Sequence, residues 1–216
     1  MKLIDSFGPN PRVVRMFMAE KGITLPREEL DLLAADNRKE AYLKKNPGGQ
    51  MPALELDNGT CIAETAVMCE YLEEKHPTPV LIGGTAEERA VARMWQRRVE
   101  LNITENMYNG FRFAEGFEMF KNRVHCIPAA AADLKATAQE WLEKLDGFMG
   151  SNPFICGSEP RFVDITLYCC MDFAKGVGQG INPNLKNINA WFERMDSRPS
   201  AAASLHPAWE QVKMRG

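Results

Sequence analysis

The sequence predicts a small mixed α/β unit of order βαβαββα, followed by an all-helical unit. Three observations carry this prediction. Strand-like and helix-like periodicities alternate as far as Lys75, and Asp57-Asn58-Gly59 joins two short strand candidates. After the proline- and glycine-bearing stretch from His76 to Gly84, strand signals cease and only helical spacing remains.

Lys2 to Ser6 is the first strand candidate, broken by Gly8-Pro9-Asn10-Pro11. Val13, Val14, Met16, Phe17 and Met18 then set a helical stripe against Arg12, Arg15, Glu20 and Lys21, with Gly22 as a natural stop. On this reading Asn10 is the N-cap and Pro11 the first helical residue. Glu28 to Leu32 alternates as a second strand, and Asn37 to Lys45 reads as a short helix. Pro52 to Leu56 and Thr60 to Ile62 flank Asn58-Gly59, the strongest short-range hairpin signal. Glu64 to Lys75 is helical again, with Ala66, Val67, Cys69, Tyr71 and Leu72 apolar. The α/β unit is therefore expected at 1–77, a linker at 78–87 and the helical unit at 88–216. Helices are expected at Glu87–Phe120, Ala129–Met149, Phe162–Val177 and Leu185–Ser197.

Composition excludes several classes of function. A chain of 216 residues, 45% hydrophobic and 25% charged, is neither disordered nor fibrous. A net charge of -3 gives no basic field for nucleic acid or anionic lipid. No apolar run approaches the roughly 20 residues of a membrane span, and the apolar run within Met1–Ser6 is too short for a signal peptide. A cytoplasmic protein is expected, with neither nucleic acid nor membrane as partner. The cysteines Cys61, Cys69, Cys126, Cys156, Cys169 and Cys170 contain no Cys-x-x-Cys pair and read as buried small hydrophobes. With three scattered histidines there is no zinc constellation, so no metal is expected.

Two segments carry chemistry. In Asn46-Pro47-Gly48-Gly49-Gln50-Met51-Pro52, a proline opens a strand without a donor of its own. A cis Met51–Pro52 bond would leave the Met51 backbone free to pair with an extended ligand; an ordinary Pro-Gly turn fits the segment as well. At Ala63-Glu64-Thr65-Ala66 a strand gives way to a helix, whose unpaired N–H groups suit a carboxylate while Glu64 suits an ammonium group. Simple capping by Thr65 is the alternative there. Together the segments offer a backbone clamp beside a site for an α-amino-acid head.

These residues resemble a known family. Asn46-Pro-Gly-Gly-Gln-Met-Pro-Ala-Leu-Glu-Leu, Glu64-Thr65 and Tyr71-Leu72-Glu73-Glu74 are similar to the thioredoxin-like, glutathione-binding half of cytosolic glutathione transferases. The likeness extends upstream through Pro11–Arg15 and Ala19–Ile23. It continues through Pro153–Gly157 with Val163–Thr166, and through Trp191-Phe192 to Arg198-Pro199. The resemblance implies that Met51 binds the cysteinyl backbone of glutathione, with Pro52 cis. Glu64 and Thr65 would hold the γ-glutamyl end, with Gln50 and Arg38 toward the glycyl end. It also implies a homodimer and a role in detoxification. Relatives pair the residue at Asp164 with a Ser or Thr three positions earlier as a capping box; Arg161 stands there instead, so half of the box is expected to be missing and the helix start less firmly fixed.

The catalytic position departs from the family. Where relatives place a Tyr, Ser or Cys, no hydroxyl or thiol lies between Phe7 and Arg12, as in a bacterial and fungal branch reading Gly-Pro-Asn-Pro. A thiol titrates near about 8.5 unless helix N–H groups or an amide donor lower that value. Asn10 can supply such a donor, or act only as an N-cap; Ser6 is the fallback hydroxyl. Tyr108, Phe111, Arg112 and Phe113 are the expected second-substrate pocket, from an aromatic series that also includes Trp95, Phe117 and Phe120; such a stripe more often forms helix core than pocket. The branch often has Phe-Arg-His here, and Phe113 removes that histidine. The leading expectation is an enzyme presenting the glutathione thiolate to a hydrophobic electrophile. The alternatives are glutathione-dependent isomerisation, dehalogenation or disulfide reduction, or non-catalytic binding of glutathione or a hydrophobic ligand.

Overall fold

In the computed structural model, which describes residues 1–210, the strands β1 (Lys2–Asp5), β2 (Arg27–Glu29), β3 (Ala53–Glu55) and β4 (Cys61–Ile62) form one sheet of order β2-β1-β3-β4. β1 runs parallel to β2 and antiparallel to β3, and β3 runs antiparallel to β4. A parallel pair needs a crossover, which α1 (Pro9–Lys21) supplies. The Asn-Gly hairpin forms as the sequence predicts: Gly59 has φ 82°, and Thr60 donates its N–H to the Asn58 side chain at 3.0 Å. A 3-10 turn (Asp36–Arg38) and α2 (Glu40–Leu43) precede β3, and α3 (Thr65–Lys75) follows β4. The order is βαβαββα, a thioredoxin-like unit.

The ends of α1 are set locally. Gly22, at φ 65°, ends the helix, with the Ile23 N–H returning to the Met18 carbonyl at 2.9 Å. Lys21 then ties this end to α3, pairing with Glu73 at 2.6 Å and donating to the His76 carbonyl at 2.6 Å. The helix starts earlier than expected: Gly8 is the N-cap and Pro9 the first residue, so Asn10 is second and Pro11 third. Proline fits a first turn because its fixed φ is helical and it lacks an N–H that would go unused.

The division into units also differs from the expected one. Met1–Leu81 groups with residues 198–210, whereas the sequence predicts a first unit ending at 77 and a helical unit over 88–216. The reason lies in α1. Its arginines Arg12 and Arg15 are buried, and a buried guanidinium needs acceptors. Asp5 meets Arg15 at 2.6 Å, and the carbonyls of Ala201 and Ser204 accept from Arg12 and Arg15 at 3.2 and 2.8 Å. Arg198 adds a bidentate pair with Glu20 at 2.6 and 2.7 Å. The carbonyls belong to α10 (Pro199–Ala203) and the residue after it. Periodicity cannot reveal acceptors supplied almost two hundred residues away.

The second unit, Ile82–Ser197, holds α4 (Ala86–Val99), α5 (Glu105–Arg112), α6 (Phe117–Phe120), α7 (Ala131–Met149), α8 (Phe162–Gly176) and α9 (Lys186–Asp196). The single helix expected over Glu87–Phe120 is interrupted twice. Glu100–Thr104 forms a π-helical turn, where Asn102, Thr104 and Asn106 side chains bond backbone carbonyls one turn back and compete with the α ladder. After Arg112 the chain folds back over Phe111, whose ring lies where a side chain at Gly116 would have to sit. α8 is buried along almost its whole length and forms the centre of the unit.

The start of α8 is firmer than the sequence suggested. The Asp164 N–H bonds the Arg161 backbone carbonyl at 2.9 Å, while the Asp164 carboxylate accepts from the N–H groups of Arg161 and Ile155 at 2.8 and 3.0 Å. Trp191 of α9 donates its indole N–H to the same carboxylate at 2.8 Å. A backbone acceptor thus replaces the missing Ser or Thr. No described helix is long and apolar enough to cross a membrane.

Candidate functional site

The sheet register brings three separate segments to one end. Ile4 pairs with Ala53 and Leu54 with Ile62, so the C-terminal end of β1, the N-terminal end of β3 and the C-terminal end of β4 lie side by side. From them continue Ser6–Asn10, Met51–Pro52 and Glu64–Thr65. The expected glutathione residues are thereby gathered in one unit by strand pairing alone.

At the first segment, prolines strip the start of α1 of donors. Pro9 and Pro11 have no N–H, and the Arg12 N–H is taken by the Gly8 carbonyl at 3.2 Å. Asn10 keeps its backbone N–H, and neither this group nor its side-chain amide makes a hydrogen bond among the described residues. Asn10 is half-buried and does not cap. Two unused donors of one residue therefore stand at the positive end of a thirteen-residue helix. Ser6 is excluded from this role, because its buried hydroxyl donates to the Leu30 carbonyl at 2.6 Å.

At the second segment the loop before β3 is braced from within. Tyr42 and Asn46 both donate to the Gln50 carbonyl, at 2.5 and 2.9 Å, and Asn37 donates to the Gly49 carbonyl at 2.6 Å. Gly49 adopts φ 63°, and a side chain there would collide with the Arg38 guanidinium, so Arg38 lies directly over this loop. Its Nε is buried without an acceptor among the described residues. The Gln50 side chain is exposed. Met51 buries its side chain against Ile4, Tyr42 and Ala53 and enters a cis bond with Pro52. Neither the N–H nor the C=O of Met51 is hydrogen-bonded among the described residues.

At the third segment Glu64, not Thr65, is the N-cap of α3. It is held at φ 69°, an unusual angle for a residue with a side chain, of the kind that gathers at binding sites. No side chain caps the helix, so the first-turn N–H groups and the Thr65 hydroxyl are not consumed by a cap. An exposed carboxylate thus stands next to a helix N-terminus, a combination suited to an ammonium and a carboxylate on one carbon.

Three cysteines are poorly suited to act as nucleophiles. Burial pushes the thiols of Cys156 and Cys170 up to about 12 and also raises that of Cys61, so all three favour the protonated form.

In the second unit, Tyr108, Phe111 and Arg112 come together with Phe120 of the expected aromatic series and with Phe173, which lies outside it. Phe111 packs edge-on against Phe173 of α8 at 5.0 Å and against Phe120 at 6.1 Å, and Tyr108 lies 6.1 Å from Phe173. The Arg112 guanidinium sits over both Tyr108 and Phe120, at 5.9 and 5.8 Å. Phe113 makes no ring contact among the described residues, and Trp95 packs elsewhere, against Phe148 at 5.9 Å.

Comparison with known proteins supplies the decision. A model of the glutathione S-transferase N-terminal domain matches residues 7–75, and one of the C-terminal domain matches residues 126–199. The chain is 36% identical over 201 residues to maleylacetoacetate isomerase of Pseudomonas aeruginosa, covering 92% of this chain and 88% of that protein. The chain belongs to the glutathione S-transferase family. The transferase is also 29% identical over 200 residues to glutathione S-transferase 2 of Saccharomyces cerevisiae, covering 89% of this chain and 84% of that one. The solved structure of Gtt2 from the same yeast superposes with a TM-score of 0.89 at 28% identity, covering 95% of this chain and 100% of that one.

The sequence reading missed several residues of the transferase site. Tyr42, Asn37 and Asn46 hold the loop that presents Met51, and of these only Asn46 belongs to the Asn46–Pro52 motif. Phe173 joins the aromatic group from a different helix; α8 is buried on almost every side, and its periodicity marks no one residue above its neighbours.

Proposed function

We propose that the transferase binds glutathione as an added strand on the Met51 backbone, with its γ-glutamyl carboxylate at Thr65 and its ammonium group at Glu64. Arg38 and Gln50 face the glycyl end. The two donors of Asn10 stabilise the thiolate, which attacks an electrophilic carbon of a hydrophobic substrate: a C–S bond forms and the leaving group departs with its electron pair. The thiol proton goes to solvent, so no protein base is needed. The observation that carries this reading is the single sheet end where Asn10, the unpaired Met51 backbone and the start of α3 meet. Tyr108, Phe111, Arg112 and Phe113 supply the second-substrate side. A homodimer in the cytoplasm with a detoxifying role belongs to the same reading, supported by family membership.

The relationship to a maleylacetoacetate isomerase favours a second reading, in which the thiolate adds to a conjugated substrate and is later expelled. Product analysis separates the two. Conjugation consumes glutathione, whereas isomerisation returns it.

Calorimetric titration with glutathione tests the binding mode. Thr65→Val and Glu64→Gln are each expected to weaken affinity about tenfold, the loss of one charge-assisted hydrogen bond. Wild-type affinity in both variants would move the γ-glutamyl end elsewhere.

A further inference from the structure

Among the described residues, Arg112 is a cation without an anion. No carboxylate pairs with it among the described residues, although acids are close by in sequence. Those acids are engaged elsewhere: Glu115 holds Lys135 at 2.5 Å, Glu118 holds Lys121 at 2.5 Å, and Glu105 accepts from Asn109 at 3.4 Å. Asn109 in turn aims the guanidinium, accepting from its Nη1 at 2.9 Å. The side chain is thus fixed between the Tyr108 and Phe120 rings, and part of its charge is left uncompensated.

Behind the rings, two buried polar atoms lack a hydrogen-bond partner among the described residues. Tyr108 is only 5% exposed, and its hydroxyl lies by the Cys170 thiol without a hydrogen bond of ordinary geometry. A buried hydroxyl rarely goes without a partner. Gln179, which donates to the carbonyl of Met107 at 3.4 Å, likewise leaves its Oε1 buried without a donor among the described residues. Phe111, Arg112 and Phe120 are only partly buried, so the cluster can be reached from solvent.

We propose that this cluster selects second substrates that are planar, apolar and anionic: an aromatic or conjugated body lies against the rings, and its carboxylate or sulfonate pairs with Arg112. This deepens the proposed function by naming a substrate class, and it rests on that reading for the reaction itself but not for the binding. The charge is what distinguishes it from a site for neutral electrophiles. A guanidinium beside aromatic faces stacks on a planar ligand and receives an anion through paired N–H groups. Arg112 is a binding residue in this account and takes no part in proton transfer.

Fluorescence titration of the full-length protein without glutathione isolates the claim from the transferase reading. The probes are 8-anilinonaphthalene-1-sulfonate and N-phenyl-1-naphthylamine, which share a ring system and differ by the sulfonate. Arg112→Gln is expected to weaken the anionic probe about tenfold and to change the neutral one less than twofold. Arg112→Lys should recover part of the anionic affinity, and circular dichroism would check that each variant is folded. Equal weakening of both probes would mean that Arg112 only packs, and would overturn the proposal. An unchanged affinity for the sulfonate, or no binding of it by the wild type, would overturn it as well. Neither result bears on glutathione binding at Asn10, Met51 and Thr65, which the calorimetric titration reads independently.

Discussion

Asn10→Ala is expected to lower kcat/KM for conjugation at neutral pH by about 10- to 100-fold. That range corresponds to loss of one hydrogen bond to a charged atom, about 1.5–3 kcal/mol. The loss should not be larger, because the backbone N–H of residue 10 survives the substitution and remains at the helix start. It should also shrink as pH rises, since above the ordinary thiol range glutathione ionises without help. Asn10→Asp should be worse than Asn10→Ala, as it sets a like charge beside the thiolate. A pH-rate profile on the three proteins would read all of this. A uniform deficit at every pH would instead indicate a misplaced helix.

Asp164→Ala should produce the largest effect on stability. Three donors now satisfied by one fully buried carboxylate, from Arg161, Ile155 and Trp191, would be left without an acceptor. A cost of about 3–5 kcal/mol follows from orphaning several buried donors at once, or a fall in Tm of about 10 °C for a chain of this size. The same carboxyl carries a pH signature. Burial outweighs its hydrogen bonds and raises its titration from 3.8 to about 6. The folded protein therefore holds a proton that the unfolded chain has already released, so stability from this group falls as pH rises from about 4 to about 6, by up to about 3 kcal/mol. Thermal melts across that interval should show the slope in the wild type and lose it in the variant.

How much of this was legible beforehand depends on the range of the interactions involved. The βαβαββα order, the Asn58-Gly59 hairpin and the Gly22 stop were readable because periodicity and turn chemistry act over a few residues. The Met51-Pro52 and Glu64-Thr65 segments were readable as motifs, but their meeting at one end of the sheet required the strand register. Asn10 stands out in the sequence for an amide that could donate, but it is the second residue of the helix rather than its N-cap. Pro9 was free to open the helix because Gly8, at φ 127°, made the entry. The return of α10 to α1 and the backbone substitute for the missing cap at Arg161 were hidden, because their partners are carbonyls, which every residue possesses. Phe173 joins by tertiary ring packing, and the isolation of Arg112 depends on which acids choose other partners; no single-sequence pattern records either.

The most direct test of the account is a spectroscopic pH titration of glutathione bound to the wild-type protein and to Asn10→Ala, following the ultraviolet band of the thiolate. The account predicts that the bound thiol of the wild type titrates at or below about 7, within the range reached by thiols at helix N-termini, and that the variant moves it upward by about one pH unit or more. A bound thiol that titrates near its ordinary value of about 8.5, or a lowered value that Asn10→Ala leaves in place, would contradict the assignment of Asn10 as the residue that holds the thiolate.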